Sequence, residues 1–112
     1  TGFSFYHPGI DIATGLGMPI HPITKGEVIE ASFNIWGLGN LVTVVHENGF
    51  KSTYAHMGKI MVQEGDEISE TTRLGEVGIT GRTTGPHLHL EVRKNGVAQN
   101  PTRYLRATLA SK

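Results

Sequence analysis

The chain has 112 residues, with 10 basic side chains balanced by 10 acidic ones, no cysteine and six histidines. That length suits one domain around one core, and the cancelled charge excludes a net field that would draw the protein to nucleic acid, an anionic membrane or an acidic substrate. Lack of cysteine removes thiolate metal sites, a cysteine nucleophile and disulfides together, and no apolar run approaches the roughly 18 residues of a membrane span.

No basic-then-apolar start reads as a signal peptide, so any targeting segment is expected outside the chain. In chain order, His7-Pro8-Gly9-Ile10-Asp11 comes first, an imidazole and a carboxylate four positions apart across a Pro-Gly bend. Turn signals follow at Gly15 to Gly17, Gly37 to Gly39, Glu47 to Gly49, Glu64 to Asp66, Gly78 to Pro86 and Asn95-Gly96. Between them lie β-branched runs with alternating character at Gly26 to Phe33, Asn40 to His46, Phe50 to His56, Arg73 to Val77 and His87 to Arg93. His46-Glu47-Asn48-Gly49-Phe50 joins two of these runs through Asn-Gly, a pair that tolerates positive φ and so predicts a hairpin. The expectation is an all-β fold, with helix at most from Pro101 to Leu109 and a frayed or briefly helical tail at 107–112.

The histidines carry most of the chemical signal. His87-Leu88-His89 delivers two imidazoles to one face of a strand, with Leu88 and Leu90 on the other face and Glu91 beside the histidines as an orienting partner or a solvated end. His56 ends a run in which alternation puts Tyr54 on the same face. His21 and His46 have no partner at ligand spacing and read as structural. Together, one His-x-x-x-Asp arm and one strand histidine make the three nitrogen and oxygen ligands of a catalytic zinc site, whose fourth position stays open. Two further histidines are then left to exchange protons near neutral pH. Which of His87 and His89 is the ligand stays open on spacing alone.

These motifs resemble peptidase family M23, the lysostaphin-like or LytM-type metallo-endopeptidases. The likeness runs from His7 to about Leu105. It is carried by His7-Pro8-Gly9-Ile10-Asp11-Ile12-Ala13, Gly37-Leu38-Gly39-Asn40, Tyr54-Ala55-His56-Met57, Gly81 to Glu91 with its Gly85-Pro86-His87-Leu88-His89 core, and Asn100-Pro101. The resemblance implies a small antiparallel β-sheet core of barrel-sandwich-like hairpins, crossed by a substrate groove. It implies one zinc ion per chain on His7, Asp11 and His89, with His56 and His87 catalytic beside the open coordination position. It further implies cleavage of peptide bonds in bacterial peptidoglycan, in a cross-bridge or a stem peptide, and therefore action outside the cytoplasmic membrane. Peptidoglycan peptides are the expected partners, with no nucleic acid and no membrane insertion.

Tyr54 would add a phenolic donor to the oxyanion or serve as a packed aromatic. In the family a further segment, often with a Phe-Gly-x-Arg-like stretch, precedes the first motif. Only Thr1 to Tyr6 do so here, so a single peptidase domain over 1–112 with a reduced groove wall is expected. Substrate choice should rest on the loops Ser32 to Leu38 and Ile79 to Pro86. The main rival is a non-enzymatic member of the same fold that activates a cell-wall amidase; such members typically lack some of the five site residues, all of which are filled here. Carrier-domain hairpins, suggested by Gly26-Glu27-Val28 and Val62 to Ile68, lack the lysine they need at the tip. A closed structural site made by adding His87 would leave His56 without a role.

Overall fold

The computed structural model describes residues 3–6, 9–81, 85–104 and 108–109. Among these, the chain forms ten strands: β1 (Phe3–Tyr6), β2 (Gly9–Ala13), β3 (Pro19–Ile20), β4 (Gly26–Asn34), β5 (Gly39–Val45), β6 (Phe50–Ile60), β7 (Glu67–Ile68), β8 (Gly75–Val77), β9 (His87–Lys94) and β10 (Val97–Gln99). Every pairing is antiparallel, and the main sheet runs β1-β2-β9-β6-β5-β4-β7. The all-β expectation holds, and the five alternating runs each become a strand. Among the described residues, helix is confined to 3-10 turns at Glu47–Gly49 and Pro101–Tyr104 and to Thr108 and Leu109.

Turn chemistry sets the hairpins. Asn48 and Gly49 take φ of 62° and 79° between β5 and β6, and Asn95 and Gly96 take 51° and 83° between β9 and β10. Asn and Gly are the residues that enter this region at least cost, and the resulting twist matches that of the strands.

Register then decides which side chains go inside. Ile10 on β2 faces Leu90 on β9, Leu90 faces Tyr54 on β6, and Tyr54 faces Val42 on β5. All four are fully buried, in a core completed by Ile20, Val28, Val44, Met57, Leu74, Val77, Leu88 and Val92. Burying such an apolar side chain contributes about 1.5–3 kcal/mol, so this row holds the four strands in one alignment.

A polar chain crosses the core edge. The Tyr54 hydroxyl donates to Ser52 Oγ at 2.6 Å, the Ser52 hydroxyl donates to His46 Nε2 at 2.7 Å, and His46 Nδ1–H donates to the Lys25 carbonyl at 2.8 Å. These directions follow because a carbonyl can only accept, which puts the imidazole proton on Nδ1 and leaves Nε2 to accept. The Ile23 N–H completes the chain by donating to the Tyr54 oxygen at 3.0 Å. His46 and His21 are thus both buried parts of the scaffold. His21 Nδ1 meets the Thr72 carbonyl at 3.1 Å, and the His21 N–H donates to the carbonyl of buried Thr108 at 2.8 Å.

Burial holds the His46 pKa below its ordinary 6.5, against an opposing pull from the Lys25 carbonyl. The unfolded chain therefore protonates first as pH falls. The stability due to this neutral ring is complete above about 6.5 and is lost as pH drops through the lower folded value. His46→Leu is expected to cost about 1–3 kcal/mol at neutral pH, by stripping the Lys25 carbonyl and Ser52 of their partner. It should also remove part of the stability loss between about pH 7.5 and 5.5, which urea melts at both values would measure.

Candidate active site

The residues next to the core row face the other way. Asp11 on β2 stands opposite His89 on β9, and His89 stands opposite Ala55 on β6. Successive side chains on a strand alternate between faces, so the register that buries Ile10, Leu90 and Tyr54 must bring Asp11 and His89 together on the far side. Ala55 offers only a methyl group there, which leaves room for the imidazole.

His89 is buried, and both ring nitrogens meet carboxylates. Nδ1 lies 2.5 Å from Asp11 Oδ1, and Nε2 lies 2.9 Å from Glu91 Oε2. Burial alone would lower the His89 pKa, but hydrogen bonds to Glu91 and Asp11, together with their charges, hold it above the ordinary value. The bond to His89 in turn pulls Glu91 down against the effect of its own burial, with help from Arg93 at 3.6 Å. Gly9 makes this arrangement possible. A Cβ there would stand 2.4 Å from the Leu90 carbonyl oxygen, 2.8 Å from Glu91 Cγ and 3.1 Å from His89 Nε2.

His56 reaches the same site by breaking the pattern of its strand. Between the pairs Val42–Tyr54 and Asn40–Met57, β6 carries one residue more than β5, and His56 sits in this bulge with φ of 60°. A bulge re-aims a side chain, and here it ends the alternation that would have set Tyr54 and His56 on one face. The His56 N–H donates to the Leu38 carbonyl at 2.8 Å, its carbonyl accepts from Gly78 N–H at 3.0 Å, and its Nδ1–H donates to the Thr80 carbonyl at 2.9 Å. The ring stands edge-on to His89, with centroids 6.1 Å apart. Tyr54 instead points into the core with its hydroxyl in the His46 chain, so the oxyanion role considered for it is excluded and the packed-aromatic alternative is correct.

His87 opens β9, opposite Ala13 on one side and bridged to Gly78 on the other. Its Nδ1–H donates to the Gly85 carbonyl at 2.8 Å. In both His56 and His87 a backbone carbonyl therefore fixes the proton on Nδ1, which makes Nε2 the lone-pair nitrogen of the neutral ring. Gly78 and Thr80, read from sequence as parts of a turn, were missed as supports of these rings. The only signal was the position of this Gly-rich stretch just ahead of the histidine strand.

The donor set suits a cation such as zinc. A carboxylate and an imidazole nitrogen converge, and the second imidazole nitrogen is bonded to a carboxylate, the outer support that metal-binding histidines usually have. Among the described residues no three such side chains form a complete cluster; His7, expected as the third ligand, lies outside the described residues. For a zinc ion held on Asp11 and His89, Glu91→Gln should weaken binding by about 10–100-fold, because it removes the charge that orients and enriches His89. Competition with a chromophoric chelator would measure this, and unchanged affinity would mean that Glu91 gives His89 no support.

The tip of the β4–β5 hairpin borders this site through Leu38. It exposes Phe33, Ile35 and Trp36, the last at 84%.

Comparison with known proteins agrees with this architecture. The catalytic domain of lysostaphin from Staphylococcus simulans superposes with a TM-score of 0.80 at 31% identity, over 89% of this chain and 79% of that one. Peptidoglycan DD-endopeptidase ShyC of Vibrio cholerae is 37% identical over 101 residues, 90% of this chain and 23% of ShyC. Murein hydrolase activator NlpD of Escherichia coli is 37% identical over 97 residues, 87% of this chain and 25% of NlpD. The chain thus spans about a quarter of the length of these curated relatives. The model of peptidase family M23 matches residues 5–101, and the chain belongs to that family of metallopeptidases.

Proposed function

We propose that this domain is a zinc metallo-endopeptidase that hydrolyses peptide bonds of bacterial peptidoglycan outside the cytoplasmic membrane. Zinc would be held by Asp11 and His89 with His7, one ion per chain, and His56 and His87 would be the catalytic residues. The observation that carries this reading is the set of ring orientations: His89 turns Nδ1 to Asp11, while His56 and His87 both anchor Nδ1–H on backbone carbonyls. When bound, zinc supplies Lewis acidity to a scissile carbonyl and acidifies water toward neutral pH. The chain's own work is then proton transfer and charge stabilisation. A neutral imidazole with its proton on Nδ1 accepts a proton at Nε2, and the protonated ring can donate from the same nitrogen to a developing oxyanion or a leaving amine. The carbonyls of Thr80 and Gly85 stabilise both forms of their rings, because Nδ1 stays a donor throughout.

The similarity to NlpD favours a second reading, in which the domain binds and activates another cell-wall hydrolase without cleaving. Presence of all five site residues in the sequence supports the enzyme instead. The shared tautomer of His56 and His87, each set by a backbone carbonyl, supports the same reading.

Alanine at His7, Asp11 or His89 should abolish zinc retention and cleavage together. Alanine at His56 or His87 should keep about one zinc per chain and lower turnover by roughly a hundredfold or more. Zinc analysis, with release of free amines from purified peptidoglycan in the presence and absence of chelator, checks both. Wild-type protein that retains zinc, cleaves no wall preparation and stimulates an amidase would establish the activator reading.

A further inference from the structure

The His56 ring is held by a carbonyl, and that carbonyl is itself held by a side chain. Thr80 Oγ1 donates to the Met57 carbonyl at 2.6 Å and accepts from the Asn40 N–H at 3.0 Å. Residue 80 thus grips the His56 segment twice, through its hydroxyl at Met57 and through its carbonyl at His56 Nδ1. These contacts span three separate parts of the fold: β5 at Asn40, the β6 bulge at His56 and Met57, and the segment that leaves β8. The ladder is broken just here, because the pairing of β5 with β6 shifts between Asn40 and Val42 and that of β6 with β8 shifts between Met57 and Lys59. At Asn40 and Met57 the hydroxyl takes up a backbone donor and a backbone acceptor beside these shifts, so a side chain closes what regular pairing leaves irregular.

Close backbone approach around Thr80 shows how little slack the clamp has. A Cβ on Gly39 would lie 2.5 Å from both the Thr80 carbonyl carbon and Thr80 Oγ1, and a Cβ on Gly81 would lie 2.4 Å from the Gly39 nitrogen. Both glycines also have positive φ, 67° and 77°, so an added side chain would be strained as well as blocked.

We propose that Thr80 is a positioning residue for catalysis: its hydroxyl fixes the carbonyl that sets the orientation and tautomer of His56. It touches neither substrate nor metal and acts only through the ring. The inference rests on the peptidase reading for its effect on rate, but not for its effect on the ring.

Thr80→Val keeps the shape and removes the hydroxyl, whereas Thr80→Ser restores it. In the zinc-loaded protein, Thr80→Val should lower kcat by about 10–100-fold while KM and zinc content stay within about twofold of wild type. Thr80→Ser should recover most of the loss. Long-range proton–nitrogen spectra of the imidazoles at about pH 8 supply the readout that a purely structural role would not move. His56 should be protonated at Nδ1 alone in wild type and in Thr80→Ser, and should become a tautomer mixture in Thr80→Val. If Thr80→Val does not fold, Thr80→Cys, similar in size and a weak donor, makes the same comparison.

Wild-type turnover with an unchanged His56 tautomer would overturn the proposal, as would loss of zinc from Thr80→Val. If wild type cleaves no wall peptide yet the tautomer shifts in Thr80→Val, the positioning role stands and the peptidase reading falls.

Discussion

One register holds this protein together and makes its site. Ile10, Leu90 and Tyr54 form a buried row across β2, β9 and β6, and their neighbours Asp11, His89 and Ala55 form the row behind it. A slip of one residue between β2 and β9 would expose leucine and isoleucine and bury an aspartate without a partner. Stability and the candidate site are therefore coupled by geometry: the buried apolar row is the one that sets a carboxylate against an imidazole 78 residues away in sequence.

Around that fixed pair, the other two site histidines are placed by departures from regular strand structure. His56 occupies a bulge with positive φ, a conformation that is uncommon for a residue with a side chain and is held by three hydrogen bonds from neighbouring segments. His87 starts its strand and is bonded to the carbonyl two residues before it. In both cases the protein spends backbone carbonyls, not side chains, to orient the ring. A carbonyl can only accept, so the nitrogen that faces it is the one that carries the proton.

Much of this was legible in the sequence. Alternation in His87-Leu88-His89-Leu90-Glu91 gave the face of each side chain, and Leu88, Leu90, His89 and Glu91 lie where it put them. Asn48-Gly49 located the hairpin between β5 and β6, and Asn95-Gly96 marked the turn between β9 and β10, although the short β10 was not foreseen. Three features were not legible. Gly9 to Ala13 is only five residues long and begins at the glycine of a Pro-Gly pair, so its strand character comes from being sandwiched between β1 and β9 and not from local pattern. The bulge at His56 has no composition signal, and it defeated the alternation argument that paired this residue with Tyr54. The Thr80 clamp is made of contacts 23 to 40 residues apart, beyond the reach of any local motif.

The most direct test of the account is an anomalous difference map at the zinc absorption edge, from crystals of the zinc-loaded chain. A single peak roughly 2.0–2.2 Å from Asp11 and from His89 Nδ1, with Nε2 of His56 and of His87 turned toward it, is the predicted result. A peak on His21 or His46, or zinc bound to His89 through Nε2 with Glu91 displaced, would contradict it.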